Sequence, residues 1–233
     1  MPILELARKK KMSISRVEEY YNALRTNIQL SGENIRVIAI SSTFPGEGKT
    51  TTSTNLALTF AKAGHKTLLV DADIRNSKML GGVFKSDGKV TGLTEYLSGT
   101  TDLSQGLCET DEPNLFVVSS GQISPNPTAL LQSDRFATMM NVLRRHYDYI
   151  IVDTPPIGMV VDATLVSRVC DASLLVVAPK EVKRKMVQRS KIQLEQSSTP
   201  FLGVVLNKYN VQADKYGFYG SYGHYGDNLS KEE

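Results

Sequence analysis

The amino-acid sequence predicts an α/β fold, a doubly wound and mostly parallel sheet, on three observations. Near-continuous apolar runs at Ile35–Ser41, Lys66–Asp73 and Tyr149–Asp153 have the character of strands buried on both faces, as parallel strands are. Segments of helical period separate them, which is the alternation of βαβ units. Two of the runs close on aspartates, and the C-terminal strand ends are where an open α/β sheet places its chemistry.

In chain order, the first residues carry a basic cluster, Arg8 to Lys11, behind a short apolar stretch. That order does not suit a signal peptide, so residues 1–14 are expected to form an arm with a solvated basic run. Ser15-Arg16-Val17-Glu18 is a capping-box pattern, and Val17, Tyr20, Tyr21, Leu24 and Ile28 follow at helical spacing, predicting an amphipathic helix over 16–30 that Ser31-Gly32 stops. The first strand, a glycine-containing loop and a helix running to Ala63 come next, with Gly64-His65 as the turn. After the strand at 66–73, Ser77 to Asp111 reads as loop-heavy surface with one short helix at Leu93–Leu97. Strand Leu115–Val118, helices Thr128–Leu131 and Asp134–Arg145, and strand Tyr149–Asp153 follow. Helix Ala163–Val169, strand Ala172–Ala178, a basic helix Val182–Glu195 and strand Gly203–Leu206 complete a domain over 15–208. From 209 to 233 the composition changes: Tyr216–Gly226 repeats Tyr-Gly-x every third residue with no aliphatic residue, so it cannot bury enough apolar surface to offset its ordering entropy, and the segment reads as a flexible tail.

A length of 233 residues suits one large domain with appendages. The 27 Lys+Arg against 24 Asp+Glu leave a net charge of +3, too small to argue for nucleic acid. Two cysteines without a C-x-x-C spacing indicate neither a disulfide framework nor a zinc site and fit a reducing cytoplasm. No segment approaches the ~20 apolar residues of a membrane span, so any work at a membrane needs something else to hold the protein there.

The chemistry is concentrated in Pro45-Gly46-Glu47-Gly48-Lys49-Thr50-Thr51, between the first strand and its helix. Glycines let backbone N–H groups approach an anion, and the helix turns its positive N-terminus to the same spot. Lys49 is expected to reach terminal phosphates and Thr50 to ligate Mg²⁺. One departure from G-x-x-x-x-G-K-[ST] is Thr43 at the first glycine position. Asp153, ending a buried strand before Thr154-Pro155-Pro156, is placed to hold the same ion. Asp71 and Asp73 are two apart on an extended strand end and point the same way, adding two carboxylates near the terminal phosphate. A spare carboxylate there serves a kinase, which must take a proton from an incoming hydroxyl.

The loop, the strand Leu68–Arg75, the Ile151–Pro156 segment and the terminal tyrosine cluster together resemble the bacterial tyrosine kinases, the BY-kinases, and most of all the separate cytoplasmic kinase subunit of Gram-positive capsular polysaccharide systems. The resemblance implies a P-loop NTPase fold of the MinD/ParA-like type, with the loop as Walker A, Asp71-Ala72-Asp73 as Walker A′ and Asp153 as Walker B. It implies ATP and Mg²⁺ as cofactors, Asp71 as base for a tyrosine hydroxyl, and Asp73 and Asp153 at the metal. It further implies autophosphorylation, between subunits, at Tyr216, Tyr219, Tyr222 and Tyr225. The implied partners are a membrane adaptor of the chain-length-regulator type that activates the kinase and draws it to the inner face of the membrane, further copies of the chain in a ring, and a phosphotyrosine phosphatase. Ring assembly in the family uses a Glu-x-x-Arg-x-x-Arg helix motif, which Glu19 and Arg25 match but Asn22 does not. Two other readings stay open: a MinD/ParA-like switch ATPase, although Phe44 stands where that class carries a second lysine, and a regulatory scaffold whose nucleotide site controls assembly.

Overall fold

The computed structural model describes residues 2–7, 17–86, 88, 90–179 and 181–209. Its strands are β1 (Ile3–Leu6), β2 (Val37–Ser42), β3 (Thr67–Asp71), β4 (Phe84–Lys85), β5 (Leu107–Thr110), β6 (Leu115–Val118), β7 (Tyr149–Asp153), β8 (Ala172–Val177) and β9 (Phe201–Leu206). The helices are α1 (Glu18–Ser31), α2 (Lys49–Lys62), α3 (Leu93–Leu97), α4 (Leu103–Gly106), α5 (Pro127–Gln132), α6 (Asp134–Leu143), α7 (Asp162–Ser167) and α8 (Arg184–Glu195), with a kinked turn at Met79–Gly82. The basic run Arg8–Lys11, Ser15 of the expected capping box and the tyrosine tail lie outside the described residues.

The strands form one sheet in the order β4-β1-β5-β6-β3-β7-β2-β8-β9. From β6 to β9 every pairing is parallel, whereas β5 runs antiparallel to β6 and β4 antiparallel to β1. The central strands earn their burial by alternation across the sheet. In β2, Ile38 and Ile40 enter the core on one face, and Val37 and Ala39 enter the core on the other. Every residue of β2, β3 and β8 is buried, which is why their sequence runs carry no polar alternation.

Three strands were not anticipated: β1, the two-residue β4 and β5. The segment expected as an arm contributes β1, which pairs parallel with β5 and antiparallel with β4. It alternates, with Leu4 and Leu6 buried, and the Leu6 N–H is accepted by Asp111 Oδ1 at 2.9 Å. Four residues beside a basic run are too few for period 2 to register. In β5 only Cys108 is buried, so the stretch expected as loop carries an edge-like pattern.

Helix α2 positions the site. Thr52 to Ala61 are all buried, so the helix is clamped over the sheet along most of its length. Phe60, fully buried, stacks on Tyr149 of β7 with ring centroids 3.9 Å apart, worth roughly 2–4 kcal/mol from area and ring contact together. That contact ties α2, whose first residue is Lys49, to the strand that ends in Asp153.

Candidate active site

The loop from Thr43 to Gly48 leaves β2 and ends in the left-handed Gly48, φ 95°, which caps α2. A Cβ on Gly48 would lie 1.9 Å from Asn207 Nδ2, and that amide donates to the Glu47 carbonyl at 2.8 Å. Gly48 is therefore required twice, for its φ and for the approach of Asn207. Gly46 also has a positive φ, 88°, with open space around it. The Glu47 side chain turns inward: it is buried and accepts hydrogen bonds from the Phe44 and Ala178 N–H groups, bracing the loop to the end of β8. Only the backbone of Glu47 remains for an anion, a narrower part than the sequence suggested.

The departure at Thr43 has a plain reason. Thr43 does not take a positive φ, so this position makes no demand for glycine. Its buried side chain fills space against Gly158, whose N–H donates to the Thr43 carbonyl at 3.1 Å. Glycine is required on the other side of this contact, since a Cβ on Gly158 would come within 2.3 Å of that oxygen.

Three expected carboxylates gather around the first turn of α2. Lys49 Nζ lies 3.1 Å from Asp73 Oδ2 and 3.5 Å from Asp153 Oδ2. The Thr50 hydroxyl donates to Asp153 Oδ2 at 2.6 Å, and Ser53, one turn on, donates to Oδ1 at 3.0 Å. Asp71 pairs in register with Asp153 across β3 and β7. Its Oδ1 accepts the Asp73 N–H at 3.3 Å and its Oδ2 accepts the Ser77 hydroxyl.

Burial shapes the charges. It pushes Asp71 up to about 7, the Asp153 charge adds to this, and the Ser77 hydrogen bond works against it. Burial likewise raises Asp153, against the pull of Lys49 and the Thr50 and Ser53 hydroxyls. On Lys49, burial favours the neutral amine, but Asp153 and Asp73 outweigh it and hold the pKa above its ordinary value. The result is a fixed cation among carboxylates, one of which sits in the range suited to a general base.

A second ion pair flanks the site. Arg75 forks onto Asp162, Nε to Oδ2 at 2.6 Å and Nη2 to Oδ1 at 3.1 Å, and also donates to Thr128 Oγ1 at 2.8 Å. Asp162 is fully buried, so the pair staples the segment after β3 to α5 and α7. Sequence reasoning missed Arg75, Asp162, Ser77 and Asn207. Ser53 alone left a signal, three residues from Thr50 and so on the same helix face.

Of the remaining expected residues, Pro45 is exposed on the loop and Thr51 is half-buried on α2. Glu19 and Arg25 lie on α1, Glu19 exposed and Arg25 half-buried, outside the carboxylate cluster. Lys183, Arg184 and Lys185 are exposed, in keeping with a solvated basic face. Tyr216, Tyr219, Tyr222 and Tyr225 are outside the described residues.

Residues 35–189 match the family model described as AAA domain. The tyrosine-protein kinase CpsD of Streptococcus pneumoniae is 61% identical over 226 residues, which are 97% of this chain and 99% of that protein. Among solved structures, the kinase domain of the Escherichia coli tyrosine kinase ETK has a TM-score of 0.78 at 34% identity, covering 86% of this chain and 80% of that one. The septum site-determining protein MinD of Pyrococcus horikoshii OT3, complexed with Mg-ADP, has a TM-score of 0.64 at 25% identity, covering 76% and 71%. The architecture is thus shared with the MinD class, while the near full-length identity lies with the kinases, and the chain belongs to the family of bacterial tyrosine-protein kinases.

Proposed function

We propose that this chain is an ATP- and Mg²⁺-dependent protein-tyrosine kinase that phosphorylates Tyr216, Tyr219, Tyr222 and Tyr225 of neighbouring copies. With a membrane adaptor, and opposed by a phosphotyrosine phosphatase, it regulates capsular or extracellular polysaccharide synthesis. The observation that carries the reading is the convergence of Lys49, Thr50, Asp71, Asp73 and Asp153 at the ends of three parallel strands.

The roles follow from chemistry. Loop N–H groups from Pro45 to Thr51 bind phosphate oxygens, and Lys49 exchanges its carboxylate partners for the terminal phosphates. Asp71 accepts the tyrosine proton as the phenolic oxygen bonds to the γ-phosphorus and ADP leaves. Thr50, Asp73 and Asp153 are hard oxygen donors that suit Mg²⁺. They would hold the ion together with waters and the oxygens of the nucleotide. When bound, Mg²⁺ supplies neutralisation of phosphate charge.

No helix among the described residues is long and apolar enough to cross a membrane. Recruitment to the inner membrane face is assigned to the adaptor. Copies of the chain associate through α1, with Glu19 and Arg25 as contacts and Asn22 as the weak point of the motif. The likeness to MinD sustains a second reading, a nucleotide-driven switch without phosphotransfer. Full-length protein with ATP, Mg²⁺ and the adaptor's cytoplasmic segment, followed by phosphopeptide mass spectrometry, separates the two. Phosphate on the four tail tyrosines, lost in Lys49→Met, is expected; brisk ATP hydrolysis without phosphotyrosine would establish the switch instead.

A further inference from the structure

Between Asp71 and Met79 the chain braces itself through four hydrogen bonds. Asp71 Oδ1 accepts the Asp73 N–H at 3.3 Å, and Asp73 Oδ1 accepts the Asn76 N–H at 3.2 Å. Asp71 Oδ2 accepts the Ser77 hydroxyl, and Ser77 Oγ accepts the Met79 N–H at 3.0 Å. The end of this chain is anchored, because the Met79 side chain is fully buried in the core and its carbonyl accepts the Val83 N–H at 2.9 Å. A hydroxyl whose lone pair is already taken by a backbone N–H has its own proton free to point elsewhere, and here it points at Asp71.

We infer that Ser77 is a positioning residue for phosphotransfer, acting through Asp71. Asp71 is the last residue of β3, and the Ala72 N–H donates to the Asp153 carbonyl at 2.8 Å, so the backbone is held there while the orientation of the Asp71 carboxylate is left to its own hydrogen bonds. The backbone N–H of Asp73 holds one oxygen, and Ser77 holds the other from a point fixed by the core. Rotation of the carboxylate is thereby stopped, while each oxygen keeps a lone pair for an incoming tyrosine hydroxyl. The inference rests on the assignment of Asp71 as the base.

The test uses full-length kinase variants with full-length Lys49→Met chain as acceptor, which retains the tail. Ser77→Ala is expected to lower kcat for tyrosine phosphorylation about tenfold, the size of one hydrogen bond to a charged group, with KM for ATP within about twofold of wild type. Ser77→Thr, which keeps the hydroxyl, restores kcat. Asp71→Asn loses about 10²–10⁴-fold and leaves a measurable residue, in whose background Ser77→Ala costs nothing more. Ser77→Cys, close in shape and a weak donor, carries the test if the alanine variant does not fold. A fully active Ser77→Ala beside a disabled Asp71→Asn, or an equal further loss in the Asp71→Asn background, overturns the inference alone. An Asp71→Asn variant as active as wild type overturns the base assignment and the inference with it.

Discussion

Asp71 and Asp153 stand opposite each other in register at the ends of β3 and β7, two carboxylates each only 1% exposed. Burial first, and then their mutual repulsion, hold Asp71 at about 7. The unfolded chain releases this proton near pH 4, but the folded chain keeps it until about pH 7. Across that window the folded state binds more protons, so stability falls as pH rises. Without nucleotide, Asp71→Asn should match wild type near pH 4 and exceed it at pH 8 by up to about 4 kcal/mol, read from urea midpoints. Parallel pH curves for the two proteins would contradict the raised Asp71 pKa.

Gly46 and Gly48 both have positive φ, yet alanine should not cost the same at each. At Gly46 the methyl meets open space, leaving backbone strain of about 1–2 kcal/mol. At Gly48 it collides with Asn207 and breaks the bond to the Glu47 carbonyl as well. Calorimetric titration with ATP and Mg²⁺ should show Gly48→Ala binding at least tenfold weaker than Gly46→Ala.

Arg75→Ala strands a fully buried Asp162 without its cation. Because the arginine side chain is 36% exposed, the loss should fall below that of a fully interior pair, about 2–4 kcal/mol in a chemical melt. Arg75→Lys keeps charge but not the fork and should recover only part. Full stability in Arg75→Ala would contradict the role of this pair as a staple.

Tail phosphorylation should weaken self-association. Four phosphotyrosines add roughly −6 to −8 charges to one short segment, and such tails repel in an assembly. Light scattering during incubation with ATP should show a falling mass, absent when the four tyrosines are phenylalanine. An unchanged mass with full phosphorylation would remove this coupling.

Much of the fold was legible because its central strands are buried on both faces and its helices are long enough for their period to register. Where an element is four residues long, as β1 and β5 are, alternation is indistinguishable from chance, and both were missed. The site was legible through Lys49, Thr50, Asp71, Asp73 and Asp153, which sit at strand or helix ends that the pattern locates. Ser77, Asn207 and Asp162 act across loops and over separations of up to 160 residues, and nothing local marks them. Glu47 shows the opposite error, a motif position whose side chain serves the loop itself.

The strand β1 sets an order of events during synthesis. Its pairings join Leu6 to Phe84 and Ile3 to Glu109, so β1 waits for partners made about eighty to a hundred residues further along the chain. Closing loops of that length is slow and comes after local contacts. Strand β1 therefore joins the sheet only after β4 and β5 have formed, and a four-residue strand that depends on such distant partners is expected to be among the first parts of the sheet to open.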